Sequence, residues 1–197
     1  MPTSARQVTA EDILHDDEFA AQRKARRSAL LPIKRARRVA LGPHCTLYFE
    51  SFETMLFQIQ EMLLIEKGGA AQLADELAAY NPLIPQGREL VATVMFEIED
   101  PVRRAEILAG LGGVEDRFFV TIGETMVPGA PEGDIERTRE DGKTSSVHFM
   151  RFGLSEADVA AFRDAAVPVM VGCDHPRYGH LALLRAEVRQ ELARDFA

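Results

Sequence analysis

The spacing between segments that read as strands constrains this chain more than any other feature. From residue 89 onward, apolar stretches follow one another with several connections of only about two to six residues. A parallel pair needs a crossover of roughly a dozen residues or more, so connections this short make neighbouring strands antiparallel. The clearest strand is 89–98, where Val94, Phe96 and Ile98 share one face. Residues 118–122, 144–152, 167–173 and 181–184 read as further strands. Two short helices are interleaved. Asp100-Pro101 opens one, with an N-cap side chain and proline at the first helical position, and Ser155 to Asp158 caps the other. Residues 128–142 read as a polar loop, and 185–196 as a terminal helix.

Before residue 85 the period is helical. Thr9 to Asp12 resembles a capping box and opens a short helix. A longer basic helix starts near Asp17, and Pro32 is expected to kink or end it. Residues 39–41 and 45–50 flank Gly42-Pro43-His44 and read as a hairpin. Residues 52–67 form the strongest helix, ended by Gly68-Gly69, and 70–80 form an Ala-rich helix stopped by Asn81-Pro82. The expected architecture is α+β: N-terminal helices and a hairpin packed on a mainly antiparallel sheet with short interleaved helices. One domain is expected over 1–197, with a helical part to about 85 and a sheet-rich part from about 86.

A chain of 197 residues buries roughly 70% of its unfolded surface and needs neither disulfide nor metal to hold a core. Its two cysteines, Cys45 and Cys173, are far apart and in no CxxC arrangement, which predicts unbonded core thiols in a reducing compartment. No export pattern and no apolar run of about 20 residues is present, so the expected location is cytoplasmic, without a membrane partner. Net charge is −8, yet Arg23, Lys24, Arg26, Arg27, Lys34, Arg35, Arg37 and Arg38 lie together without an acid among them. The rest of the chain therefore carries −16, the difference between −8 and +8. That acidic body opposes nucleic-acid binding and favours a solvated or internally paired basic helix.

On a helical wheel of 52–67, Met55, Leu56, Ile59, Met62 and Leu63 make a broad apolar face. Glu53, Gln60 and Lys67 make a solvent stripe, and Thr54, Gln58 and Glu61 form a second polar group bordered by Phe57, Leu64 and Ile65. A carboxylate so placed needs a partner. The expected arrangement sets Glu61 against Arg37 or Arg38, with Glu50 taking the other arginine. The alternative is that this stripe lines a ligand or metal cleft. Among the histidines, His175 and His180 sit in a turn with Pro176 and Gly179, and no zinc-type spacing is present, so no metal or cofactor is expected. Gly142-Lys143-Thr144 resembles the end of a phosphate loop, but Arg137 stands where that loop needs glycine and a strand follows instead of a helix. Lys143, Ser145, Ser146 and His148 at a strand start still compose a candidate anion site.

Taken together, residues 34–44, Phe49-Glu50, Gln58 to Met62, Tyr80 to Pro85, Lys143 to Phe152 and Asp174-His175-Pro176 with Tyr178 resemble a bacterial family known as domain of unknown function 3501. The resemblance spans nearly the whole chain and implies no assigned activity. It implies a redox or peroxide-stress setting, with an iron–sulfur oxidoreductase or a rubrerythrin-like protein as partner. The leading expectation is a non-enzymatic binding or accessory protein. The alternative is a small enzyme using Glu61 or His148 as acid or base on an anionic substrate held by Arg37, Arg38 or Lys143. Arg37, Arg38, Glu50, Gln58, Glu61, Lys143, Ser145, His148 and His175 are the candidate ligand-binding residues.

Overall fold

The structure, a computed structural model, describes residues 6–132 and 144–197. A 3₁₀ turn at Ala10–Asp12 comes first, with Thr9 donating from both its amide and its Oγ1 to the Asp12 carboxylate. Helix α1 (Asp16–Ala36) leads into a hairpin of β1 (Arg38–Leu41) and β2 (Cys45–Phe49), followed by helices α2 (Phe52–Glu66) and α3 (Gly69–Tyr80). Then come β3 (Glu89–Phe96), α4 (Pro101–Ala109), β4 (Phe118–Ile122), β5 (Thr125–Pro128) and the two-residue β6 (Ala130–Pro131). The described chain ends with β7 (Val147–Gly153), α5 (Glu156–Arg163), β8 (Val169–His175), β9 (Tyr178–Leu183) and α6 (Ala186–Leu192).

The α+β architecture stands, with two antiparallel sheets where one was expected. One sheet has the order β1-β2-β3-β7-β6 and the other β5-β4-β8-β9. The division follows from pairing across long sequence separations. β3 takes β7 as its neighbour, Thr93 opposite Phe149, while β4 takes β8, Val120 opposite Val171. Each sheet turns one face into a shared core that holds Leu47, Val94, Phe152, Val120 and Val171. The other face of the first sheet lies under α2 and α3, where Val91 joins Met55, Ile59 and Leu83 in a second cluster. Phe49, Phe118, Phe152, Phe162 and Phe196 are fully buried, each contributing about 1.5–3 kcal/mol of transfer free energy. Cys45 and Cys173 are free and buried, as the spacing predicts. Among the described residues no helix is long and apolar enough to cross a membrane.

The hairpin of β1 and β2 is pinned from the far end of the chain. Tyr178 donates its hydroxyl to the Leu41 carbonyl at 2.8 Å and accepts from the His44 and Cys45 amides at 3.0 and 2.9 Å. One buried side chain thus satisfies three backbone groups in the turn. Gly42 completes the fit: its φ is +69°, and a Cβ there would meet the His180 ring at 2.5 Å. Only glycine suits both conditions.

Three local expectations are corrected. Pro32 does not end α1, which continues to Ala36. The carbonyl that proline leaves without a helical donor belongs to Ser28, which is exposed and within reach of water. Gln60 is not on a solvent stripe but 3% exposed, because the segment before α1 crosses α2 there. Its amide accepts from the Leu14 amide at 2.9 Å and donates to the Leu14 carbonyl at 3.2 Å. Ile65, read as a border of buried polar groups, is 64% exposed.

Candidate functional site

β2 ends at Phe49, but its ladder runs one residue further, with the Glu50 amide donating to the Val91 carbonyl at 2.8 Å. Alternation along the strand puts the Glu50 side chain on the same face as Tyr48, the face away from the shared core. The chain then turns immediately into α2, which Ser51 caps by accepting from the Thr54 amide. This tight strand-to-helix step brings Thr54 back over Glu50, and its Oγ1 donates to Glu50 Oε2 at 2.7 Å. From the neighbouring β3, Thr93 Oγ1 donates to Oε1 at 2.6 Å. The carboxylate is therefore held by two neutral hydroxyls.

Glu50 lines a cleft of about 380 Å³. Its floor is the outer face of the first sheet, with Tyr48, Thr93, Met95, Val147 and Phe149. Met55 and Gln58 of α2 form one wall, the end of α1 with Lys34 and Arg37 another, and Tyr80 and Leu83 close the far side. Burial pushes the Glu50 carboxyl above the usual carboxylate range; the bonds from Thr93 and Thr54 and the charges of Lys34 and Arg37 pull it back without cancelling the shift. Among the described residues, the Gln58 amide, the Tyr80 hydroxyl and the Lys34 ammonium have no hydrogen-bond partner.

Arg37 borders the same cleft and is spent. At 3% exposure it grips Asp195 through both terminal nitrogens, at 2.9 and 2.6 Å, and Glu191 Oε1 through Nε at 3.1 Å. Its remaining donors reach the Glu50 carbonyl at 2.9 Å and the Glu191 carbonyl at 3.5 Å. Burial disfavours its charge, yet the bonds and charges of Asp195 and Glu191 raise its pKa above the ordinary value. With all five N–H groups used, Arg37 organises the cleft wall and offers nothing to a ligand.

The expected pairing of Glu61 with Arg37 or Arg38 is corrected. Glu61 receives Arg23 in a two-pronged contact, Nε at 2.7 Å and Nη2 at 2.6 Å, and these bonds hold its carboxyl below the usual range. Because α1 runs unbroken beside α2 in the opposite sense, Arg23 faces Glu61 while Arg37 faces the start of α2. Fourteen helical residues separate the two arginines by about 20 Å. Arg38 points elsewhere, 3.5 Å from Glu97 and over the Tyr48 ring. Nor does Glu50 take an arginine side chain; it meets Arg37 through its backbone carbonyl alone.

His148 cannot share the cleft. It stands opposite Val94 and faces the core between the sheets, 0% exposed, with Nε2 donating to the Ser145 carbonyl at 2.9 Å. Ser145 accepts from the Val147 amide at 3.1 Å. Lys143 lies outside the described residues, as does most of the 128–142 loop. His175 ends β8 and caps the two-residue turn to β9, accepting from the Arg177 amide at Nδ1, while His180 packs edge-on against Tyr178. Of the sequence candidates among the described residues, the structure brings Arg37, Glu50 and Gln58 to one cleft and sets Arg38, Glu61, Ser145, His148 and His175 outside its lining. Thr93, Lys34 and Tyr80 went unread as site residues. The alternation that puts Val94 and Phe96 inward leaves Thr93 on the opposite face, and that was the available signal.

A model of the family described as protein of unknown function (DUF3501) matches residues 7–196. The chain belongs to this family. A crystal structure of a novel protein of unknown function from Burkholderia pseudomallei K96243 is 37% identical, with a TM-score of 0.89, covering 97% of this chain and 100% of its own. The DUF3501 fold is thus shared at high structural agreement between the two. The comparison with curated proteins found no match. Among the described residues of this DUF3501 member, no three His, Cys, Asp or Glu side chains are grouped as a metal site would need.

Proposed function

We propose that the protein is a non-enzymatic binding protein that takes a small molecule into the cleft around Glu50. One observation carries this reading. A carboxylate held only by neutral hydroxyls shares a cleft of small-molecule size with three polar side chains that, among the described residues, have no partner. The redox or peroxide-stress setting, with an iron–sulfur oxidoreductase or rubrerythrin-like partner, belongs to this proposal on the strength of the family resemblance. The cytoplasm is the proposed location, which two unbonded thiols support. Nucleic acid is left out of this proposal, which is supported by the pairing of Arg23, Arg37 and Arg38 with acids of the same chain.

A second reading is that the cleft is catalytic, with Glu50 as the acid or base. Its upward-shifted pKa favours this. Glu61 and His148 do not serve there, since neither lines the cleft.

A thermal-shift screen of metabolite-sized compounds against wild type and Gln58→Trp tests the binding reading. Gln58 is half-buried on the wall, so an indole there fills the cleft while leaving Glu50 and its hydroxyl partners in place. The expected result is a set of compounds that stabilise wild type and not the variant. Compounds that stabilise both equally would contradict it.

A further inference from the structure

Two side chains of opposite charge, Glu50 and Lys34, line this one cleft. Glu50 is the anion, its oxygens each taking one hydroxyl bond and keeping further acceptor sites toward the space. Lys34 is the cation, an exposed residue of the cleft lining, and its charge acts on Glu50. Arg37 does not count, because Asp195 and Glu191 neutralise it and use its donors. Between the two charges the Gln58 amide and Tyr80 hydroxyl add neutral hydrogen-bonding groups, and Met55, Met95 and Leu83 supply an apolar surface. A pure anion would meet Lys34 and be repelled by ionised Glu50. A pure cation would meet the reverse. A molecule with both charges close together on an apolar body satisfies both poles and loses little on desolvation, since each of its charges gains a partner.

From this we infer that the cleft takes a zwitterion of the apolar α-amino-acid type, its ammonium toward Glu50 and its carboxylate toward Lys34. This rests on the binding reading above and specifies its ligand class. Gln58 and Tyr80 complete the polar end, and the side chain lies along Met55, Met95 and Leu83.

Isothermal titration calorimetry tests it with L-phenylalanine, L-methionine and L-leucine as zwitterions, phenethylamine as the acid-free probe and 3-phenylpropanoate as the amine-free probe. At least one zwitterion is expected to bind wild type, and both single-charge probes to bind at least about tenfold more weakly than L-phenylalanine or not at all. Lys34→Met is expected to weaken the zwitterion at least about tenfold while not weakening phenethylamine, which loses a repelling charge. Glu50→Gln is expected to weaken the zwitterion likewise while not weakening 3-phenylpropanoate, which loses its own repelling charge. If Glu50→Gln does not fold, Lys34→Met, at an exposed position, decides alone. Single-charge probes that bind as tightly as the zwitterion overturn the inference. Absence of zwitterion binding, with other compounds protected in the thermal-shift screen, overturns the ligand class and leaves the cleft reading standing. Absence of binding in both experiments removes both.

Discussion

Glu50 gives up much of its hydration to the cleft wall, and the two threonine hydroxyls that replace water carry no charge. Desolvation is therefore the larger influence, and the folded protein favours the protonated carboxyl more than the unfolded chain does. The stability sign follows from linkage. A carboxyl whose folded pKa lies above its unfolded value contributes stability below the unfolded value near 4.5 and loses it as pH rises through the folded value. Lys34 and Arg37, at the end of α1, are the charged groups that act on it. Glu50→Gln is accordingly expected to be more stable than wild type at neutral pH, with the difference shrinking as pH falls through the raised folded value toward about 4.5; urea denaturation across pH measures it. A variant less stable at neutral pH, or a difference that does not change with pH, contradicts this account of Glu50. In the sequence Glu50, Thr54 and Gln58 were legible as polar residues beside a helix start, because short-range spacing governs them. Thr93 was not, since its contact with Glu50 depends on the β2–β3 register.

At the scale of elements, α1 decides which ions meet. Its continuation through Pro32 carries Arg37 to the start of α2 and the C-terminal turn, and leaves Arg23 beside Glu61. The two ion pairs differ in burial. Arg37 and Asp195 are 3% and 6% exposed, whereas the Arg23 side chain is 43% exposed and that of Glu61 18%. Arg37→Ala strands the Asp195 carboxylate and is expected to cost about 3–5 kcal/mol. Glu61→Ala removes one side of a solvated pair and is expected to cost far less. Chemical denaturation of the two variants, with an Arg37–Asp195 double-mutant cycle, checks this; equal losses would contradict it. Helix starts were readable wherever a cap stood in the sequence, as at Asp100 and Ser155, whose side chains do accept from Arg103 and Asp158 amides. At Pro32 a kink and an end were both expected, and the helix runs on to Ala36; proline's local cost alone does not decide between them, because α1 packs on α2.

At the scale of the molecule, individual strands were legible from alternation and short connections, but their division into two sheets was not. β3 and β7 are neighbours across more than fifty residues of chain, and no local pattern encodes that choice. The division matters for function. It buries His148 between the sheets and leaves the outer face of the first sheet, with Thr93 and Met95, to form the floor of the cleft. It also places methionines on two separate surfaces: Met55 and Met95 line the cleft, while Met126 and Met170 lie on the outer face of the second sheet. Methyl NMR of ¹³C-methionine-labelled protein, titrated with a compound that stabilises wild type in the thermal-shift screen, therefore tests the central claim most directly. The account predicts that the Met55 and Met95 methyl signals move while those of Met126 and Met170 stay fixed. Movement of Met126 and Met170 with Met55 and Met95 unchanged would contradict it.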